Sequence, residues 1–231
     1  MLPRAIVYIT TLLLLISCQE VTTPNNPVDD DLVKEYFWNQ PVGTVNVLAV
    51  VNTTVNYVLA DSAETKYFWY YKIIKKNAQL PSGGTGTLVT TWFSDSPNEV
   101  DTIYYFVSGR SIYFTYPSWT TSSERGLVLT MPVQVGDSLK MGRSDMNTHK
   151  VIAVNQVEQV KDARYECVIL QSKDTTVLAG DDRKYISSQE LYFSRKQMQV
   201  KSVVNRITSV GEFVEKRSSS YIELVEVVPP K

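Results

Sequence analysis

From about Lys34 onward, apolar and polar residues alternate over short runs rich in Val, Ile, Thr and Tyr, and clusters of Gly, Pro, Asn, Asp and Ser separate the runs. Successive side chains of a strand point to opposite faces, so this alternation predicts β-strands, and no run holds the roughly 3.6-residue period of an amphipathic helix. Thr102 to Tyr116 is the clearest case. Ile103, Tyr105 and Val107 fall on one face, Ser108-Gly109-Arg110 supplies a turn, and Ile112 and Phe114 lead back, which is a hairpin pattern. Tyr67 to Tyr71 also reads as a strand, because aromatic residues suit a pleated surface. Further strands are predicted at Leu127 to Val135, Lys150 to Val160, Tyr165 to Ser172, Gln189 to Phe193, Gln199 to Ile207 and Tyr221 to Val228. Turn signals recurring every ~8–12 residues suit an all-β fold, an antiparallel curved sheet forming a partial barrel or a sandwich. Asn77 to Gly86 and Pro117 to Gly126 read as loops. A subdivision of the domain would fall near 117–126, but one β domain over 34–231 is preferred, since antiparallel meanders routinely cross such loops.

The N-terminus follows different rules. A basic Arg4 precedes an apolar stretch from Ala5 to Ile16, too short for a bilayer core that needs ~20 residues, so residues 1–17 read as a signal peptide. The stretch ends at Leu15-Ile16-Ser17-Cys18, which resembles the lipobox of bacterial lipoproteins: an apolar residue three before the cysteine, a small one just before it, then Cys. The resemblance implies cleavage before Cys18, a diacylglyceryl group on its sulfur and acylation of the new amine, giving a firm membrane anchor. Gln19 rather than Asp follows the cysteine, which under the same resemblance points to the outer membrane. Residues 18–33 form the lipidated N-terminus and linker, with prolines at 24 and 27 and the solvated run Asp29-Asp30-Asp31.

A second resemblance covers about the last hundred residues. Val135-Gly136-Asp137, Val151 to Val154, Tyr165 to Leu170, Leu191-Tyr192-Phe193 and Val200-Lys201 follow in an order similar to that of secreted, β-rich bacterial envelope proteins, some with curved sheets like those of lipoprotein carriers. Those relatives often place a glycine-rich turn where Ser194-Arg195-Lys196-Gln197 stands here. The resemblance implies no catalytic residue.

Charge and chemistry narrow the function. A net charge of -1, from 23 basic and 24 acidic residues, supplies no field to attract phosphate backbones, which argues against nucleic acid as a partner. With Cys18 lipidated, Cys167 has no partner for an internal disulfide, and its alternation with Tyr165 and Ile169 predicts a buried, inert thiol. Gly136-Asp137-Ser138-Leu139 matches the nucleophile signature of an esterase family, with Asp145 and His149 downstream, but the flanking residues read as strands around a tight turn, so Ser138 is not expected to be catalytic. His149 is the only histidine, which excludes His-rich zinc sites, and no cofactor is expected. Asp61-Ser62-Ala63, Asp101-Thr102-Ile103, Asp137-Ser138-Leu139 and Asp174-Thr175-Thr176 resemble an O-glycosylation triplet of certain envelope proteins.

Of the 25 aromatic residues, 18 lie between Tyr36 and Trp119. Such residues fill cores, and they also line lipid or sugar sites by offering an apolar body with a polar tip. Trp69, Tyr71, Trp92, Tyr105 and Trp119 are the candidate ligand-binding residues. The function expected is that of a non-enzymatic, lipid-anchored envelope component that binds lipid or glycan through its aromatic-rich sheet. The alternative is a structural protein that docks to another envelope protein.

Overall fold

A computed structural model describes residues 32–121, 123–142, 147–177 and 182–231. Cys18, the signal segment, the linker up to Asp31 and Asp145 lie outside the described residues.

The first half of the chain forms six strands: β1 (Val45–Asn56), β2 (Asp61–Gln79), β3 (Thr85–Phe93), β4 (Ser96–Ser108), β5 (Ser111–Thr115) and β6 (Gly126–Thr130). The second half forms β7 (Ser138–Met141), β8 (Asn147–Val160), β9 (Ala163–Val177), β10 (Arg183–Ser194), β11 (Met198–Val210) and β12 (Phe213–Val228). All 12 belong to one sheet, in the order β6-β5-β4-β3-β2-β1-β12-β11-β10-β9-β8-β7, and every ladder is antiparallel. Each half is therefore an uninterrupted meander. The two halves join along the β1/β12 ladder, which runs from Val45↔Val228 to Asn56↔Lys216.

At the other edge of the sheet, Leu127 of β6 meets Gly142 just after β7. The Leu127 amide donates to the Gly142 carbonyl at 3.1 Å and the Gly142 amide donates back at 2.9 Å. The sheet thus curls into a nearly closed barrel rather than a sandwich. The loop at 116–125 connects two adjacent strands of this one sheet.

Strand parity follows the sequence alternation. Asn46 and Leu48 of β1 stand opposite Tyr71 and Trp69 of β2, and this row faces the barrel interior. Phe68 and Tyr70 point outward, where Tyr70 stacks on Trp92 with ring centroids 5.1 Å apart. Inside, Ile73, Val89, Ile112, Leu129, Val151, Val168, Leu170 and Phe193 form the main core. Each contributes roughly 1.5–3 kcal/mol by leaving water, an upper estimate because the unfolded chain already buries part of this surface. A second cluster, including Val160, Cys167, Ile169, Tyr192, Val200 and Leu224, is completed where the β8–β9 turn packs on the end of β12. There the Lys161 ammonium donates to the Val225 carbonyl at 3.1 Å.

Two details depart from the alternation. The predicted strand from Leu127 to Val135 ends at Thr130, because Pro132 has no N–H to give to a ladder. One helical turn that alternation does not predict, α1 (Leu32–Glu35), precedes the sheet and buries Val33. Tyr36 and Trp38 follow it into the main core, and the Glu35 carbonyl accepts a hydrogen bond from the Lys196 amide. Segment 32–38 therefore plugs the barrel end that carries the β10–β11 turn.

The opposite end differs. Between Asp61 and Phe68, β2 pairs only with β1, and beyond Gln171 β9 pairs only with β10. Six strands, β2-β1-β12-β11-β10-β9, thus run past the barrel as an open sheet that ends in the hairpin turns at 57–60 and 211–212.

Candidate functional site: an aromatic cavity inside the barrel

The barrel interior holds a cavity of about 300 Å³ that is partly open to solvent. Its walls come from nearly every part of the sheet: Leu48, Trp69, Tyr71, Tyr105, Phe114, Leu127, Met141, Leu191, Phe193 and Leu224, with Trp38 and Met198 from the plugged end. The rings pack on one another rather than lying scattered. Trp38 meets Tyr105 edge-on at 4.9 Å between centroids and Tyr71 at 5.9 Å, and Trp69 contacts Tyr71 at 4.5 Å.

Local sequence explains this arrangement. Phe114 lies opposite Gly126 in the β5/β6 ladder, and a β-carbon at Gly126 would overlap the Phe114 ring. Only glycine lets that ring lie flat over the neighbouring strand. Trp38 is fixed by its indole N–H, which donates to the Gln197 carbonyl at 3.0 Å.

Besides the ring N–H and hydroxyl groups, the polar side chains of the wall are four amides and one imidazole: Asn46, Gln189, Gln197, Gln199 and His149. Gln40 binds Asn46 through paired amide contacts at 2.9 and 3.0 Å, and its Nε2 also donates to Gln197 Oε1 at 2.5 Å. His149 Nε2 lies 3.3 Å from Gln189 Oε1. Among the described residues, no carboxylate, lysine or arginine lines the cavity. The indole N–H of Trp69 is buried and has no hydrogen-bond partner among the described residues, so the wall holds an unused donor. Tyr71 and Tyr105 border the cavity, so part of their surface opens onto it. Burial within the barrel nonetheless pushes both hydroxyls well above the ordinary phenol range, with the charges of Tyr105 and Tyr116 adding to the effect at Tyr71 and that of Tyr116 at Tyr105. Both are uncharged donors at physiological pH. The chemistry on offer is dispersion contact along apolar walls plus a few neutral hydrogen bonds, which suits an uncharged or weakly polar molecule.

Of the five aromatic residues singled out from sequence, Trp69, Tyr71 and Tyr105 meet in this cavity. Trp92 does not. Its partner in the ladder is the outward-facing Tyr70, and it lines an outer groove with Phe68, Tyr70, Val47 and Lys161. Trp119 packs against Phe114 and Tyr116 from the loop at 116–125, away from the lining. Trp38, Asn46, Gln189 and Gln197 carry no motif and escape sequence reading. Only the clustering of aromatics around residue 38 hints at the first of them.

The serine-esterase signature is turn chemistry. Asp137 Oδ2 accepts the Gln134 amide at 2.7 Å, and Gly136 holds a φ of 101°. Ser138 pairs with Lys150, one position out of step with the Leu139↔His149 pair. Ser138 therefore points outward and is exposed while His149 is buried inside, and the two form no nucleophile-base pair. Cys167 is buried, and its thiol is pushed up to about 12 first by that burial and then by the Glu158 charge. Among the described residues no three His, Cys, Asp or Glu side chains gather as metal ligands.

No protein-family model matches the chain, and no curated protein matches it. The structure is similar to that of a Bacteroides fragilis exported protein with a YmcC-like fold, at 8% identity over 83% of this chain and 98% of that one, with a TM-score of 0.51. Also similar are a Parabacteroides distasonis protein designated a lipoprotein (13% identity, 83% and 98% of the two chains, TM-score 0.45) and a DUF1329 family protein from Desulfovibrio piger (10% identity, 86% and 89%, TM-score 0.26). The match to the Bacteroides fragilis protein shows a shared barrel fold.

Proposed function

We propose that this protein is a non-enzymatic, lipid-anchored component of the bacterial envelope whose barrel holds an apolar molecule, and that the molecule is an acyl chain. The observation that carries the reading is the interior cavity of about 300 Å³. Its wall is aromatic and aliphatic with a few neutral amides, and among the described residues no carboxylate, lysine or arginine lines it. A glycan would call for a denser set of hydrogen-bonding groups than this wall provides, so lipid is favoured over sugar. In this reading Cys18 carries the anchor and faces the outer membrane, residues 19–31 act as the tether, and the described domain is the working part. The designation of the Bacteroides fragilis protein that shares the fold as exported is in keeping with an envelope location.

Native mass spectrometry of residues 32–231, purified without delipidation, tests the cavity reading. A retained mass that disappears in Leu191→Trp, which fills the cavity, supports it. An apo mass, together with failure to take up added fatty acid, overturns it. The anchor is tested separately, since Cys18→Ala should abolish acyl labelling and release the full chain from membranes.

A second reading rests on the outer groove. Phe68 is 44% exposed beside the stacked Tyr70–Trp92 pair, a patch suited to docking another envelope protein. Trp92→Ala would then weaken recovery of that partner by crosslinking in membranes and leave the lipid content unchanged.

A further inference from the structure

The turn between β1 and β2 reads Tyr57-Val58-Leu59-Ala60, where Gly, Asn, Asp or Ser would be usual. It stands at the far end of the open six-stranded extension, and Val58 and Leu59 are 61% and 71% exposed. The neighbouring β11–β12 turn adds Phe213, at 58% exposure. The two turns are adjacent because β1 pairs with β12 as far as Asn56↔Lys216. Exposed apolar side chains gathered at one tip cost free energy in water that a lipid surface would recover. The Tyr57 amide donates to the Glu215 carbonyl at 2.8 Å, and the Val58 and Leu59 amides both donate to Asn56 Oδ1 at 3.1 Å. Every backbone donor from 57 to 59 is therefore satisfied within the protein. An Asx turn of this kind is common in water too, and it leaves these three amides with no need of a solvent acceptor if the tip enters lipid, whose tails accept no hydrogen bond.

We infer that this tip is a membrane-inserting element: Val58, Leu59 and Phe213 enter the acyl boundary of a lipid bilayer. A protein partner is less well served, since three apolar side chains are few against the roughly 20–30 residues a side of a stable protein interface. The charges just behind the tip fit a headgroup layer of both signs, with Lys216 and Arg217 beside Glu212 and an Arg183–Glu215 ion pair at 3.0 Å. On the proposed reading of Cys18 as a lipid anchor, the tip is a second and separate point of lipid contact, because the described chain starts at the opposite, plugged end of the barrel.

The test uses residues 32–231, which hold all the strands and both core clusters, in flotation with phosphatidylcholine vesicles and with vesicles containing phosphatidylglycerol. Wild type should float with both, and V58D/L59D should lower the bound fraction roughly ten-fold or more. Val135→Asp is the control, because Val135 is 66% exposed and lies in the loop before β7, at the plugged end. It should bind like wild type, and circular dichroism should show all three proteins folded. Wild type left in the pellet with both vesicle types overturns the inference and leaves a protein as the occupant. So does V58D/L59D floating as well as wild type, or an equal loss in Val135→Asp.

Discussion

Truncating Trp38 to alanine asks whether the plugged end belongs to the fold. Its side chain is 6% exposed, donates to the Gln197 carbonyl at 3.0 Å and packs against both Tyr71 and Tyr105. Loss of a buried tryptophan costs about 3–5 kcal/mol in packing and void formation. The hydrogen bond accounts for about 1 kcal/mol of such a loss and the edge-on ring geometry for a further ~1 kcal/mol. Collapse will not relieve the vacancy, because the site already borders a cavity of about 300 Å³. The expected destabilisation is therefore about 4 kcal/mol, which for a domain of this size lowers the thermal midpoint by roughly 8–16 °C. Trp38→Phe keeps a ring and loses the donor, and should cost only ~1–2 kcal/mol. Urea unfolding followed by circular dichroism measures both. A cost under ~1 kcal/mol for Trp38→Ala would refute the plug as part of the core, and equal costs for the two variants would assign the effect to the hydrogen bond instead of packing.

Gly126→Ala should displace the Phe114 ring, cost about 1–3 kcal/mol by overpacking and reduce fatty-acid uptake, which fluorescence displacement would register. Cys167 should resist thiol reagents at neutral pH in the folded protein and react fully once urea unfolds it, because burial raises its thiol to about 12. Fast labelling of the native state would contradict the packing around it. Tyr71 and Tyr105 contribute stability that is complete below the unfolded tyrosine value near 10 and declines as pH rises above it, since the unfolded chain ionises first and the folded chain holds its protons. An alkaline titration of unfolding free energy should fall from about that pH, and the fall should shrink in Y71F/Y105F.

Alternation along the chain made the strands legible, and the Thr102 to Tyr116 hairpin appears as β4 and β5 with Ser108↔Ser111 closing its turn. Pairing across the two halves was not legible, because period two says which face a residue takes and nothing of which strand lies beside it. The same limit divided the aromatic candidates. Trp69 and Tyr71 share parity with each other and so share the cavity, whereas the inside or outside position of Trp92 depends on a β2/β3 register that its own sequence does not encode. The α1 turn spans Leu32–Glu35, too few residues to display a helical period, and its role depends on contacts with Lys196 far along the chain. Asn46, Gln189 and Gln197 are ordinary polar residues in the sequence, and they become a site only where strands from both halves meet.

The meeting of β1 with β12 also decides how the chain can be built. The first strand and the last are neighbours in the middle of the sheet, so β1 waits with one side unpaired until Phe213–Val228 has emerged. A strand edge left open is a template for the wrong partner, and ladders of such long sequence separation form slowly. The chain is thus most vulnerable during synthesis, before Phe213–Val228 is delivered. Removing that C-terminal stretch would open the sheet at its centre and leave each meander with a bare edge, a far heavier loss than clipping β6 or β7 at the seam.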